Sequence, residues 1–455
     1  MHNGRNDRRE IFGWMMYDWA NSAFQTTVVT VLAGPYLTAL AQNAVGDNGI
    51  VLRIGSVGAV TAKSLYPYAI ALSVFLQVFL LPVLGAVADY THLKKRLMAA
   101  FCYVGAAATS LLFFVSGERY LLGALLLVVA NLSFGASIVL YNAYLNDITT
   151  EDRRDEVSSR GYALGYLGGG LLLAANLALV AFAGSLGLST GLAVRLSLLS
   201  AGLWWAGFAG VTFALLKPRA PSRRPTAASS PLVLAIAALR ATIRELRRLR
   251  QTLRYLVGYM AFNDGIQTVI AIASVFMAQE LFVARGRPTS ESFLMGLVLL
   301  VQFVAFFGSL VFERIAAAIG TKRAILLSLV IWTAIVVYAY GFLETVREAW
   351  VIGAVIGVVL GGSQALSRSL FSQMIPAGRE ASFFGLYEIS ERGTSWIGPL
   401  VFGIVVGATS SYRQAILSLI FLFVVGIVVL ARTDTDRAVH DAGNLLPAEA
   451  APTVA

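Results

Sequence analysis

Four polar side chains, Asp18, Asn21, Ser22 and Gln25, stand at i, i+3, i+4 and i+7 inside the first long apolar run of this 455-residue chain. On a helix that spacing puts them on one face. A carboxylate inside a bilayer costs roughly 2.5–3.5 kcal/mol on insertion scales, so it turns toward a bundle interior or a watery path and not toward lipid. Two more carboxylates interrupt later apolar runs. Asp264 stands with Thr268, and Asn263 with Gln267, at i, i+4; Glu388 shares a face with Glu391, Arg392 and Ser395. Arg368 lies one turn beyond Gln364, and Tyr141 and Asn142 mark the inner part of another run. Three chemistries fit such groups. A carboxylate withdrawn from water can exchange a proton as access switches, can pair with Arg392, Arg368 or Arg160 as a gate, or can bind a polar solute directly. Asp264, with no basic residue near it in its own run, is the preferred coupling candidate. Asp18, near the inner end of its helix with arginines available, reads as part of a gate.

The chain is 57% hydrophobic and only 13% charged, which marks an integral membrane protein. Twelve apolar segments follow, at about 12–40, 66–88, 97–116, 120–145, 161–184, 191–216, 252–283, 292–313, 323–343, 349–371, 383–408 and 412–431. Runs of that length mean helices, because a barrel would alternate in segments of about 10 residues. The first run, although preceded by Arg5, Arg8 and Arg9, is too long and too polar for a signal peptide and is kept as a helix. His2, His92 and His440 lie outside the runs and Cys102 is the single cysteine, so no metal, haem or other cofactor site is expected. No Ser/His/Asp set lies in the runs and no phosphate loop appears, so neither an enzyme nor an ATP-driven pump is expected.

The expected architecture is all-α, with twelve transmembrane helices in two six-helix bundles: 1–216, a cytoplasmic basic linker with an amphipathic helix at 217–251, 252–432, and a flexible tail at 433–455. Of 35 Lys and Arg residues, 25 fall on the side of the termini and the central linker and 8 on the other. The positive-inside rule therefore places both termini in the cytoplasm of a cell membrane. The net charge of +10 is absorbed by this asymmetry, and no nucleic-acid partner is expected. Arg240, Arg244, Arg247, Arg248, Arg250 and Arg254 oppose Leu239, Ile243, Leu246, Leu249 and Leu253, a pattern expected to lie on anionic headgroups.

After the second segment, GAVADYTHLKKR reads as a conformational latch. Gly85 allows close approach, and Asp89 can take hydrogen bonds from a helix N-terminus. Lys94, Lys95 and Arg96 face headgroups or carboxylates of the opposite half. An acidic-then-basic loop, Glu313 to Arg323, occupies the corresponding place in the second half, which points to parallel repeats. Gly161, Gly165, Gly168, Gly169 and Gly170 give the fifth segment a smooth face for helix packing.

Six plus six helices with a G-x-x-x-D…basic loop resemble the major facilitator superfamily. YDWANSAF (17–24), GYALGYLGGGLLL (161–173) and GGSQALSRSLFSQMIPAGREASFFGLYEIS (361–390) resemble its vacuole-effluxer branch, which includes a yeast vacuolar amino-acid effluxer and many bacterial permeases. His92-Leu93 departs from the superfamily loop motif, which has Gly then Arg there. The resemblance implies secondary transport by alternating access, with amino acids or short peptides as solutes and a cavity between the halves. Asp18, Asn21, Gln25, Asn142, Asn263, Asp264, Gln267, Glu388 and Arg392 are the candidates for substrate binding or coupling. Efflux of amphipathic or toxic compounds along an aromatic cavity (Trp14, Tyr17, Trp19, Phe262, Trp396) is the alternative within transport. A non-transporting receptor or structural subunit is the alternative outside it. A monomer is expected.

Overall fold

A computed structural model of the chain describes residues 5–46, 49–54, 58–220, 231–288, 290–392, 397–409 and 411–446. Helices α1 (Arg8–Ala23) and α2 (Ala33–Val45) form one span, joined without a break by a π-helical stretch, Phe24–Leu32. A short antiparallel hairpin follows, β1 (Ile50–Ile54) with β2 (Gly58–Thr61), in which Leu52 opposes Val60 and Arg53 opposes Ala59. The first bundle continues with α3 (Leu65–Tyr90), α4 (Lys94–Leu111), α5 (Tyr120–Ile148), α6 (Arg154–Ala181) and α7 (Thr190–Leu215). The linker helix α8 (Pro231–Arg248) leads to α9 (Arg250–Leu281), α10 (Glu291–Ile319), α11 (Thr321–Gly341) and α12 (Val346–Gln373). The chain then runs through α13 (Glu380–Arg392), α14 (Ile397–Thr409), α15 (Tyr412–Ser418), α16 (Ile420–Ala431) and α17 (Thr435–Asp441).

Among the described residues eleven helical stretches are long and apolar enough to span a membrane, and Ile397–Val406 is a shorter apolar helix. The protein is an all-α, multi-pass membrane protein. Its polarity is arranged accordingly: Phe79, Phe307 and Phe421 are 60%, 62% and 67% exposed, while the interior holds Ser73, Thr109, Asn131, Ser197 and Ser309. Lipid is as apolar as any side chain, so the interior is held by close packing and hydrogen bonds. Helix starts carry their own caps: Ser189, Ser290, Ser411 and Asp434 accept from the first turn, and Thr345 with Glu348 forms a reciprocal capping box.

The glycine-rich face of α6 meets the YDWANSAF face of α1. A methyl group on Gly165 would lie 2.7 Å from Ser22 Oγ, and one on Gly168 2.7 Å from the Trp19 ring and 2.9 Å from its carbonyl oxygen. The two sequence motifs are therefore two sides of one interface. Between the halves, α3 packs on α13, and α6 packs on α10 and α12.

Four expectations change. The stretch 383–408 is two helices, α13 and α14, with 393–396 outside the described residues. The tail is not loose up to residue 446: Ala438 and Val439 of α17 are buried, and Asn444 Nδ2 donates to the Gln373 and Ile375 carbonyls at 2.8 and 2.7 Å. The Gln373 carbonyl is one left open at the end of α12, and Ile375 follows just beyond it, so the tail caps that helix end. Helix α8 packs on α3, α9 and α13 and buries Thr242, Leu246 and Leu249, leaving Arg240, Arg244, Arg247 and Arg248 exposed. Thr242 and Leu246 are thus bound to protein, while Ile243 is exposed along with the arginines. Finally, Gln25 is exposed while Asp18 and Asn21 are buried, because the π-helical stretch shifts the helical phase after Ala23.

Gly168→Leu is expected to lower the thermal unfolding midpoint in detergent, with an overpacking cost of about 1–3 kcal/mol. Gly184→Ala, at a position with nothing within 4 Å of the added methyl, should leave the midpoint unchanged. Equal midpoints for both variants would refute the α1–α6 packing.

Candidate functional site

The termini and the linker gather on one side of the bundle. Lys217 Nζ pairs with Asp7 Oδ2 at 2.6 Å, Arg219 pairs with the buried Glu10 at 2.8 Å, and the Asn6 N–H donates to the Ile148 carbonyl at 2.7 Å. From this linker side inward, the two halves are joined by successive layers of hydrogen bonds.

The outermost layer is Asp89, at the end of α3. Its carboxylate accepts from the Ala381 and Ser382 N–H groups at 3.0 and 2.9 Å and from the Ser382 hydroxyl at 2.5 Å. These are first-turn donors of α13, which carry the partial positive charge of a helix N-terminus. Gly85 lets the helices meet, since a methyl there would lie 2.2 Å from the Ala381 carbonyl oxygen. Asp155, at the start of α6, accepts from the Thr321 hydroxyl at 2.5 Å at the start of α11. Of the basic residues of the loop, Lys94 pairs with Asp147 at 3.0 Å and also acts on the Glu380 carboxyl of the other half, Lys95 donates to the Leu216 carbonyl of its own half at 2.6 Å, and Arg96 is exposed. Short loops hold them beside the ends of α5 and α7.

One layer deeper, the Ser372 carbonyl accepts from Asn146 Nδ2 at 2.8 Å and Arg154 Nη1 at 3.1 Å. Deeper again lies Arg368, buried on α12. All its donors have partners. Nε donates to Ser158 Oγ at 2.9 Å, Nη2 to the Ser158 carbonyl at 2.9 Å and to Asp18 Oδ2 at 3.4 Å, and Nη1 to Asp18 Oδ2 at 3.3 Å and Asn142 Oδ1 at 3.4 Å. The Tyr141 hydroxyl donates to Asp18 Oδ2 at 2.6 Å, and Asn142 Nδ2 donates to Glu388 Oε1 at 2.8 Å. Gly161 makes room, because a methyl there would lie 2.6 Å from Asp18 Oδ2. The innermost cross-half bond described is from the Tyr166 hydroxyl to Gln364 Oε1. Tyr166 is about 18 Å along α6 from its linker-side start.

Asp18, Asn142 and Glu388 are thus brought together through Arg368, a residue legible only as a lone cation in an apolar run. Ser158, Asn146, Arg154, Asp155, Thr321 and Ser372 complete the lock, and nothing in their spacing marks them. The second group of candidates lies elsewhere. Asp264 Oδ2 accepts from the Gly398 N–H at 2.7 Å, capping the start of α14, while its Oδ1 is buried without a hydrogen-bond partner among the described residues. Asn263 Nδ2 donates to the Glu391 carbonyl at 3.1 Å. Gln267 is half-buried, and Asn21 is buried with its Nδ2 unpartnered among the described residues. The side chain of Arg392 and all of Trp396 lie outside the described residues. In this arrangement the described aromatic candidates are packed in: Trp19 stacks on Trp204, Trp14 stacks on Tyr141, and Tyr17 and Phe262 are fully or almost fully buried. These rings fill seams between helices.

Two expectations follow from the lock. Asp18→Asn strands the Arg368 charge in a buried site, which costs about 3–5 kcal/mol when one partner of a buried pair is removed. Cysteine labels placed on the linker side should become more accessible in that variant, and equal accessibility would remove Asp18 from the gate. Glu380, at the start of α13 and ahead of the membrane stretch, is pushed up to about 7 by burial; Lys94 opposes the shift and the Asp147 and Asp89 carboxylates add to it. A carboxyl raised in the closed form binds its proton more tightly there, so closure is favoured below about pH 7 and loses that contribution as pH rises through it. Spin-label distances across the linker side should shorten from pH 8 to pH 6, and Glu380→Gln should flatten the change.

The sequence matches the family described as "Vacuole effluxer Atg22 like" over residues 6–443. It is 31% identical over 431 residues to the MFS-type transporter YxiO of Bacillus subtilis (strain 168), covering 93% of this chain and 95% of that protein. It is 29% identical to Autophagy-related protein 22 of Yarrowia lipolytica, covering 82% of this chain and 76% of that protein. Among solved structures it is similar to the major facilitator FucP in its outward conformation, with a TM-score of 0.66 and 11% identity over 93% of this chain and 97% of that one. The human organic anion transporter MFSD10 matches with a TM-score of 0.66 and 14% identity over 93% and 99% of the two chains. At those identities the structures speak for the fold alone, that of major facilitator transporters. Sequence and fold agree, and the chain belongs to the vacuole effluxer Atg22-like family of major facilitator transporters.

Proposed function

We propose that the protein is a secondary transporter that moves a small solute across the membrane by alternating access, and that the arrangement described above is its linker-side-closed state. The observation that carries this reading is the stack of cross-half bonds from Asp89 to Tyr166, made between two bundles and confined, among the described residues, to one side. Bonds of this kind hold two rigid bodies together in one arrangement and are broken as a set in another. With the linker side taken as cytoplasmic in a cell membrane, the solute site in this state faces outward. The protein acts as a monomer, and the open arginine side of α8 faces anionic headgroups.

Amino acids or short peptides are the proposed solutes, supported by the family relationship and by a lock that holds carboxylates and an arginine in one buried place. A proton is the proposed coupling ion, with Asp264 its carrier: one carboxylate oxygen holds the α14 N-terminus while the other is buried without a partner among the described residues. Protonation there would turn the bond from the Gly398 N–H from charge-assisted to neutral and so weaken the hold on the start of α14.

Reconstitution into proteoliposomes with a panel of labelled amino acids, dipeptides and amphipathic drugs tests the reading, and absence of flux for the whole panel would refute it. A drug-only profile would favour the efflux alternative. In the same vesicles Asp264→Asn should abolish accumulation driven by a pH gradient while leaving solute exchange within about twofold of wild type. Undiminished gradient-driven uptake would exclude Asp264 as the carrier.

A further inference from the structure

The Arg368 guanidinium sits in a receptor built by the other half. Its central carbon lies 4.2 Å from the Tyr162 ring centroid, 4.8 Å from that of Trp14 and 5.6 Å from that of Tyr141. Asp18 meets it with Oδ2, and Ser158 offers both its hydroxyl and its carbonyl oxygen. Three ring faces, a carboxylate and two further acceptors are the complement of a planar or compact cation, since ring faces are negative and water is excluded.

The carboxylate and two of the rings are held by contacts of the N-terminal half alone. Trp14 stacks on Tyr141 with centroids 4.3 Å apart, and Trp14 Nε1 donates to the Tyr141 carbonyl at 2.8 Å. The Tyr141 hydroxyl in turn holds Asp18 at 2.6 Å. All of these bonds lie within the N-terminal half. Arg368 belongs to the C-terminal half, so its place in the receptor depends on the halves being closed. Once they part on the linker side, a preformed, negatively charged aromatic cage stands open to that side.

We infer that the cage of Trp14, Asp18, Tyr141, Ser158 and Tyr162 binds the cationic side-chain head group of the transported solute, a guanidinium or a side-chain ammonium, when the linker side is open. Arg368 then displaces that head group as the linker side closes. The inference rests on the transporter reading above and names the chemical class of its solute. Arg368 is the tethered equivalent of the cargo. Two cations cannot share one cage, so closure itself drives the head group out toward the opposite side.

The test uses methylguanidinium as probe and N-methylurea, of the same shape but uncharged, as control. In purified Arg368→Ala protein, millimolar methylguanidinium should raise the unfolding midpoint saturably by several degrees, N-methylurea should not, and Arg368→Ala with Tyr162→Leu should lose the response. A second measurement covers failure of the Arg368 variant to fold. Wild-type proteoliposomes should show counterflow of labelled L-arginine about tenfold above that of L-citrulline, its isostere with an uncharged side chain, and Tyr162→Leu should remove most of that preference. Equal responses to methylguanidinium and N-methylurea, or equal counterflow of arginine and citrulline, would overturn the assignment. Flux of other solutes without any cation-specific response overturns the cage and leaves the transporter reading standing. A cation-specific shift with no flux of any solute overturns the transporter reading beneath it.

Discussion

A guanidinium with five N–H donors cannot be left in a hydrocarbon layer without acceptors, and most of the linker-side half of this molecule answers that demand at Arg368. Each acceptor brings its own helix: Asp18 from α1, Asn142 from α5 and Ser158 from α6. Since Arg368 stands on α12, satisfying it requires the two bundles to meet. A buried pair of this kind is weak evidence for stability, because desolvation offsets most of its attraction. Its effect is on specificity of arrangement: only one docking of the halves satisfies every donor, and partial separation strands a charge.

The glycines of α6 and the outer latch serve the same geometry. A Cβ at Gly161 would lie 2.6 Å from Asp18 Oδ2 and push the α1 carboxylate off its place beside Arg368. With a Cβ at Gly85 the α13 N-terminus could not reach Asp89. The small residues thus set the separation at which polar groups can pair, and the polar groups fix the register at which small residues meet. Asp89 of α3, bonded to α13, and Asp155 of α6, bonded to the start of α11, pin the linker-side surface at separate points, so rotation of one half must break both.

Much of this was legible in the sequence. Length and apolarity of the runs sufficed for the membrane bundle, and the lone intramembrane charges at Asp18, Arg368 and Glu388 could be read as a costly set in search of one another. The Gly85–Asp89 spacing asks for a helix N-terminus nearby, and the structure places that of α13 there. Three kinds of feature escaped. Main-chain acceptors, such as the Ser372 carbonyl, carry no residue signature. The capping of α14 by Asp264 depends on a separation of α13 from α14 that hydrophobicity alone does not reveal. Short polar segments such as 433–446 look unstructured until the carbonyls they cap are in place. Which aromatic residues pack in seams and which face Arg368, as Trp14 does, is not legible either, because a ring in an apolar run reads the same in both settings.

The π-helical stretch at Phe24–Leu32 has a mechanical meaning. Below it, α1 is fastened to α6 and to Arg368; within it, the Val29 carbonyl accepts from the Tyr66 hydroxyl at 2.5 Å; above it, the Tyr36 hydroxyl donates to the Val115 carbonyl at 2.6 Å. Within it the Thr30 hydroxyl takes the Gln25 carbonyl, five residues back, at 2.8 Å. A continuous α-helix would transmit any twist at Asp18 straight to the far surface. A stretch wound to a different pitch acts as a torsional coupling with backlash, so the lock can engage and release while the outer end of the same helix stays where its own neighbours hold it.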